Sequence, residues 1–114
     1  MMLTMFVVLR KEEQTRTVVA TMIECGIFEA TILDGEGVEH YAAETIPVFS
    51  SLGSLFGDRS TYNNTIVAAV ENRETVAEFV SLCAKAGIDF SQPGVGTVMA
   101  VACEFFAGER GPRA

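Results

Sequence analysis

Basic residues are scarce in this 114-residue chain: eight Lys and Arg stand against fifteen Asp and Glu, for a net charge of −7. Nucleic-acid affinity comes mainly from cations that neutralise phosphates. These eight are scattered along the chain without forming a basic stripe, which argues against a nucleic-acid partner. Cysteine is sparse as well. Cys25, Cys83 and Cys103 are far apart, odd in number and contain no CxxC pair, so the common zinc and redox motifs are missing. All three read as small hydrophobes, Cys25 and Cys83 in helices and Cys103 at a strand end, a usage that fits a reducing cytosol. No apolar run approaches the ~20 residues of a membrane helix, so no membrane insertion is expected. Met2 to Leu9 is apolar, but Arg10, Lys11, Glu12 and Glu13 follow it, the reverse of the charge order in a secretory leader. It reads as a buried strand. Ser-His-acid spacing, HExxH and a Gly-x-Ser-x-Gly elbow are all missing, and no GK[ST] follows a glycine turn. No enzyme is expected, and Ser50, Ser51 and Ser54 read as loop hydrogen-bonding groups.

What is present describes one ordered domain. The composition is 49% hydrophobic and 20% charged, and the length allows a modest core. Leu3 to Leu9 is a β-rich run and the first strand. From Glu12 the period changes, with Thr15, Val18, Val19, Met22 and Ile23 at helical spacing until Gly26, a residue suited to a left-handed cap. Phe28 to Asp34 is the second strand and Thr65 to Val70 the third. Asn72 is an N-cap with Glu74 in the first turn. Val76, Phe79, Val80 and Cys83 mark the buried face of a second long helix, which ends at Gly87. Thr97 to Cys103 is the fourth strand. This is β-α-β twice over, an α+β chain of the ferredoxin-like βαββαβ type, with a four-stranded antiparallel sheet and both helices on one face. Residues 1–107 form the domain and 108–114 a polar tail.

The strands carry too much apolar character for a sheet covered on one side. Such a sheet should alternate apolar and polar residues. Strand one instead has Leu3, Met5, Val7 and Leu9 on one face and Phe6 and Val8 on the other, and strand four runs Val98-Met99-Ala100-Val101-Ala102-Cys103. A second copy packed sheet to sheet is therefore expected.

Between strands two and three lies a long connection, residues 35–64. Connections of this length are functional or disordered, and Ile46, Val48, Phe49, Leu52, Leu55 and Phe56 make this one too apolar for a solvated linker. It divides into a glycine base carrying His40, a short helix from Pro47 to Phe56, and a polar return through Arg59 and Tyr62. Pro47 suits a first helical turn. Pro47, Phe49, Leu52 and Phe56 would either dock on a partner or fill a subunit interface.

Two glycine turns, Gly35-Glu36-Gly37 and Gly94-Val95-Gly96, stand at strand edges, where converging backbone N–H groups can hold an anion. The plainer reading is a pair of turns that need positive φ. His40 is the only histidine, with Glu36, Glu39 and Glu44 nearby. Imidazole with carboxylates can bind a divalent ion, yet the spacing matches no closed ligand set. The group reads as solvated loop charge, and no metal is expected.

The run Gly26-Ile27-Phe28-Glu29-Ala30-Thr31-Ile32 up to Gly37, the long loop, the pair Gly94 and Gly96, and the tail Gly108-Glu109-Arg110-Gly111 together resemble the PII signalling superfamily. The resemblance implies a cytoplasmic ferredoxin-like homotrimer that binds adenine nucleotides between subunits. It also implies a long loop that docks on a target such as a transporter or carboxysome component. Carried over residue by residue, Thr31, Gly37, Gly94, Gly96 and Arg110 fall at ligand-contacting places. Thr97 stands where typical members have a phosphate-binding lysine, and His40 is nearest the place of a usual arginine. That weak cation supply favours an AMP- or ADP-type effector over ATP with magnesium. The candidate nucleotide site is thus Thr31, Gly35, Gly37, His40, Gly94, Gly96, Thr97 and Arg110, with no required cofactor. The second reading is a divalent-metal-binding trimer resembling the CutA relatives, or a structural oligomer without a ligand.

Overall fold

The computed structural model describes residues 1–51 and 62–108. Four strands, β1 (Leu3–Leu9), β2 (Ala30–Asp34), β3 (Asn64–Val70) and β4 (Gly96–Ala102), form one sheet in the order β2-β3-β1-β4. Every neighbouring pair is antiparallel. The described α-helices are α1 (Glu12–Glu24), α2 (Val38–Thr45) and α3 (Arg73–Lys85). With α1 linking β1 to β2 and α3 linking β3 to β4, the result is a small mixed α/β domain compatible with the expected ferredoxin-like arrangement. Strand edges differ from the sequence reading by one or two residues: β2 begins at Ala30 rather than Phe28, β3 at Asn64 rather than Thr65, and β4 covers Gly96–Ala102.

Strand alternation sorts the sheet into two faces. Met5, Val7 and Leu9 of β1 and Ile66, Ala68 and Val70 of β3 are buried on one face, with Met5 opposite Ala68 and Val7 opposite Ile66. They pack with Val18 and Met22 of α1 and Phe79 and Cys83 of α3 into a single core. Both helices stop in the same manner. Gly26 and Gly87 follow them with positive φ, and Ile27 N–H and Ile88 N–H reach back to Met22 O and Cys83 O at 2.9 and 2.8 Å. The expected N-cap is present too, since Asn72 Oδ1 accepts from Thr75 N–H at 2.8 Å.

The opposite face carries Phe6 and Val8 of β1, Leu33 of β2, Val67 of β3, and Met99 and Val101 of β4. Register pairs Phe6 with Met99 on one side and Val67 on the other. No described helix packs against this face, and Leu33, Met99 and Val101 remain 50%, 51% and 55% exposed. The absence of polar alternation seen in the sequence thus becomes an open apolar surface.

The thiols are tucked into the helical layer. Burial is the main cause that raises both Cys25 and Cys83 from their ordinary 9.0 to about 11, with Glu78 and Glu24 adding to the effect at Cys25. Below pH 9 both therefore stay as unreactive thiols, because the thiolate is the nucleophile. A disulfide-exchange reagent at pH 8 should modify Cys103 first, and Cys83 only on unfolding. Because the folded values lie above the unfolded ones, this pair also favours the folded state below pH 9 and loses that contribution as pH rises toward 11. A denaturation series across pH 8–11 measures the decline, and rapid labelling of Cys83 in the native protein would contradict its burial.

Candidate functional site

Antiparallel pairing brings the functional candidates to one end of the sheet. Leu9, the last residue of β1, pairs with Asn64 and with Gly96, and Asn64 pairs with Asp34, the last residue of β2. Gly35 and Gly37 therefore leave from the same end at which Gly94 and Gly96 arrive. Arg10 and Lys11, both exposed, emerge there as well, next in sequence to the residue paired with Gly96. These two cations were missed from the sequence alone because they look like a strand terminator. Only the β1–β4 register places them near the glycine turn.

The two glycine turns do not converge within one protomer. β2 and β4 are the opposite edges of the sheet, three strand spacings or roughly 14 Å apart. Thr31 and Thr97 lie on the open face, opposite Val67 and Val8 respectively. Arg110 lies outside the described residues.

The turns also differ in kind. Gly94 and Gly96 have φ of +77° and +143°. A Cβ on Gly94 would meet nothing within 4 Å, whereas one on Gly96 would overlap the Val8 carbonyl oxygen. Gly96 is thus demanded by the close approach of β1. Gly35-Glu36-Gly37 is not the positive-φ turn expected from sequence, because positive φ occurs at neither glycine and Gly37 is extended at φ −65°, ψ 142°. Gly35 N–H is also spent, donating to Asn63 O at 2.8 Å, which removes it from any anion nest.

The connection from residue 35 to residue 64 holds a helix that sequence reasoning overlooked. α2 starts directly after Gly37, and Tyr41 N–H donates to Gly37 O at 3.0 Å. None of its eight residues is buried, and Val38 is 80% exposed. The connection thus leaves the sheet as an arm whose helix is not packed into the core. Pro47 then opens a 3-10 turn, Pro47–Phe49, after Ile46 adopts the extended backbone that precedes proline. The helix expected over Pro47–Phe56 is thus seen at its start as a tighter turn. Leu52, Leu55 and Phe56 lie outside the described residues.

The base of this arm is fastened. Besides the Gly35–Asn63 bond, the Tyr62 hydroxyl lies 2.7 Å from Thr15 Oγ1 on α1. The Asn64 amide, oriented with its nitrogen toward Asp34 Oδ1 (2.9 Å) and Asn63 O (3.1 Å), accepts from Tyr62 OH at 2.8 Å. On α2, His40 Nδ1 stands 2.7 Å from Glu36 Oε2 and Nε2 stands 3.0 Å from Glu44 Oε1. The group is solvated, as expected, but His40 and Glu44 stand on a helix rather than a loop, where residues four apart share a face.

No protein-family model and no curated protein matches this chain. Among the described residues no helix is long and apolar enough to cross a membrane.

Proposed function

We propose that this chain is a PII-like signalling protein, a homotrimer that senses a small adenine nucleotide between subunits and regulates a partner through its β2–β3 arm. The observation that carries the reading is the arm's placement. An excursion with an unburied helix leaves from the end of a β2-β3-β1-β4 sheet whose outer face is apolar and open. The open face supports self-association, because a sheet solvated on that side would alternate with polar residues.

The Gly94-Val95-Gly96 turn and the Gly35–Gly37 junction lie at the same sheet end but on opposite edges, which supports a ligand site shared between neighbours, where one subunit's β2 end would meet another's β4 end. Gly94 offers an unobstructed backbone, and Arg10 and Lys11 supply cations at the same end. The acidic surroundings of the arm, Asp34, Glu36, Glu39 and Glu44, favour a ligand of few phosphates, of AMP or ADP type, over ATP. The role is binding and presentation rather than catalysis, with a transporter or carboxysome component as the target class that the resemblance implies.

Isothermal titration of the folded oligomer with AMP, ADP, ATP and cyclic AMP tests the ligand. AMP or ADP should bind more tightly than ATP with magnesium. Silence toward all four overturns the nucleotide reading.

A further inference from the structure

We infer that Glu36, His40 and Glu44 form a binding site for a borderline first-row divalent cation such as Zn2+ or Co2+, held between His40 Nε2 and Glu44. The inference does not need the nucleotide reading, although both use His40, so its test is run without nucleotide.

The argument starts from the two ring nitrogens. Both face carboxylate oxygens within hydrogen-bonding distance, at 2.7 and 3.0 Å. A neutral imidazole carries only one N–H. With that proton on Nδ1, donating to Glu36, Nε2 presents a lone pair to another acceptor, Glu44. Two acceptors facing each other at 3.0 Å call for a positive particle between them, either a second proton or a metal ion.

The spacing admits either. Two cis ligands, each ~2.1 Å from an octahedral ion, have donor atoms about 3.0 Å apart, and in a tetrahedral zinc site about 3.4 Å, so a small rotamer adjustment of Glu44 would seat the ion. The donor set, one imidazole with carboxylate, suits Zn2+ and its first-row neighbours more than Mg2+. Glu36 would then serve as the outer carboxylate that fixes the ring's tautomer and orientation.

All three ligand atoms lie within 4.8 Å of one another. Their backbone supports are distinct. Glu36 follows the Gly35–Asn63 bond at the sheet end, while His40 and Glu44 share a face of α2. The side chains are a third to two-thirds exposed, so an ion can enter from solvent, and water would complete its coordination.

The single histidine makes the test direct. In protein without an added histidine tag or nucleotide, Zn2+ is titrated while long-range 1H–15N correlations of the imidazole are followed, with Mg2+ as the comparison ion. Zn2+ should shift Nε2 and leave Nδ1 protonated, with one equivalent bound per protomer. Mg2+ should do neither.

His40→Ala should abolish the binding, and Glu36→Gln should weaken it ~10–100-fold. α2, which holds His40, has no buried residue and Glu36 is exposed, so these variants should fold, which thermal melts verify. An unmoved imidazole under Zn2+, or undiminished uptake by His40→Ala, would overturn the site. Metallation of Nδ1 would overturn the role given to Glu36.

Discussion

A Met99→Lys, Val101→Lys variant should be a folded monomer where the parent protein is an oligomer. Both residues are half exposed on the open face of β4, an edge strand, and neither belongs to the helix-side core. Lysine on an exposed edge is a common natural device against strand association, so the isolated domain should tolerate both charges. Burying them against another copy is a different matter, since the effective penalty is several kcal/mol per unpaired ion. Light scattering should show the mass falling from about three protomers to one while circular dichroism stays unchanged. A parent protein already monomeric at micromolar concentration would sink the trimer. An oligomer that survives both lysines would place its interface elsewhere.

Gly96→Ala should be the most damaging Gly→Ala substitution among the described residues. At φ +143° the backbone occupies a region that is essentially glycine-only, and the added Cβ would overlap the Val8 carbonyl. Relief requires β4 to move away from β1, a pairing that runs from Leu3↔Ala102 to Leu9↔Gly96. The expected loss is roughly 3–5 kcal/mol in chemical denaturation. Gly94→Ala, with φ +77° but open space around it, should cost only about 1–2 kcal/mol. Equal stability of the two variants would refute the packing account of Gly96. The contrast also has a functional use. Loss of nucleotide binding in a Gly96 variant says little, because the strand itself is disturbed, whereas loss in a folded Gly94 variant reports on the ligand.

Elements whose hydrophobic period is strong were legible from the sequence. Val18, Met22, Phe79 and Cys83 stand in the core as their spacing implied, and Asn72 caps α3 as its position suggested. The doubled apolar pattern of β1 and β4 announced the open face. α2 was hidden because none of its residues is buried, so it has no apolar stripe to read. Its signal is polar instead, the four-residue spacing from Glu36 to His40 to Glu44, which a hydrophobic period does not register. The turn at Gly35–Gly37 was misread for a related reason. Two glycines invite a positive-φ reading, but here they sit at the junction of a strand end and a helix start, with ordinary backbone angles. Arg10 and Lys11 needed strand register, which sequence alone does not supply.

The hydrogen bond between Gly35 and Asn63 has one more consequence, for the economy of the fold. It joins the two ends of the excursion at the spacing of an ordinary hairpin, so the sheet experiences only a closed pair of strand ends. Closing the 27-residue span (36–62) rather than a two-residue turn costs only about 2 kcal/mol of chain entropy, since the cost grows with the logarithm of length. The domain is in this sense a socket: what is plugged in between Gly35 and Tyr62 can change in sequence, length or shape while the sheet, α1 and α3 stay the same, provided that Tyr62 keeps its bond to Thr15.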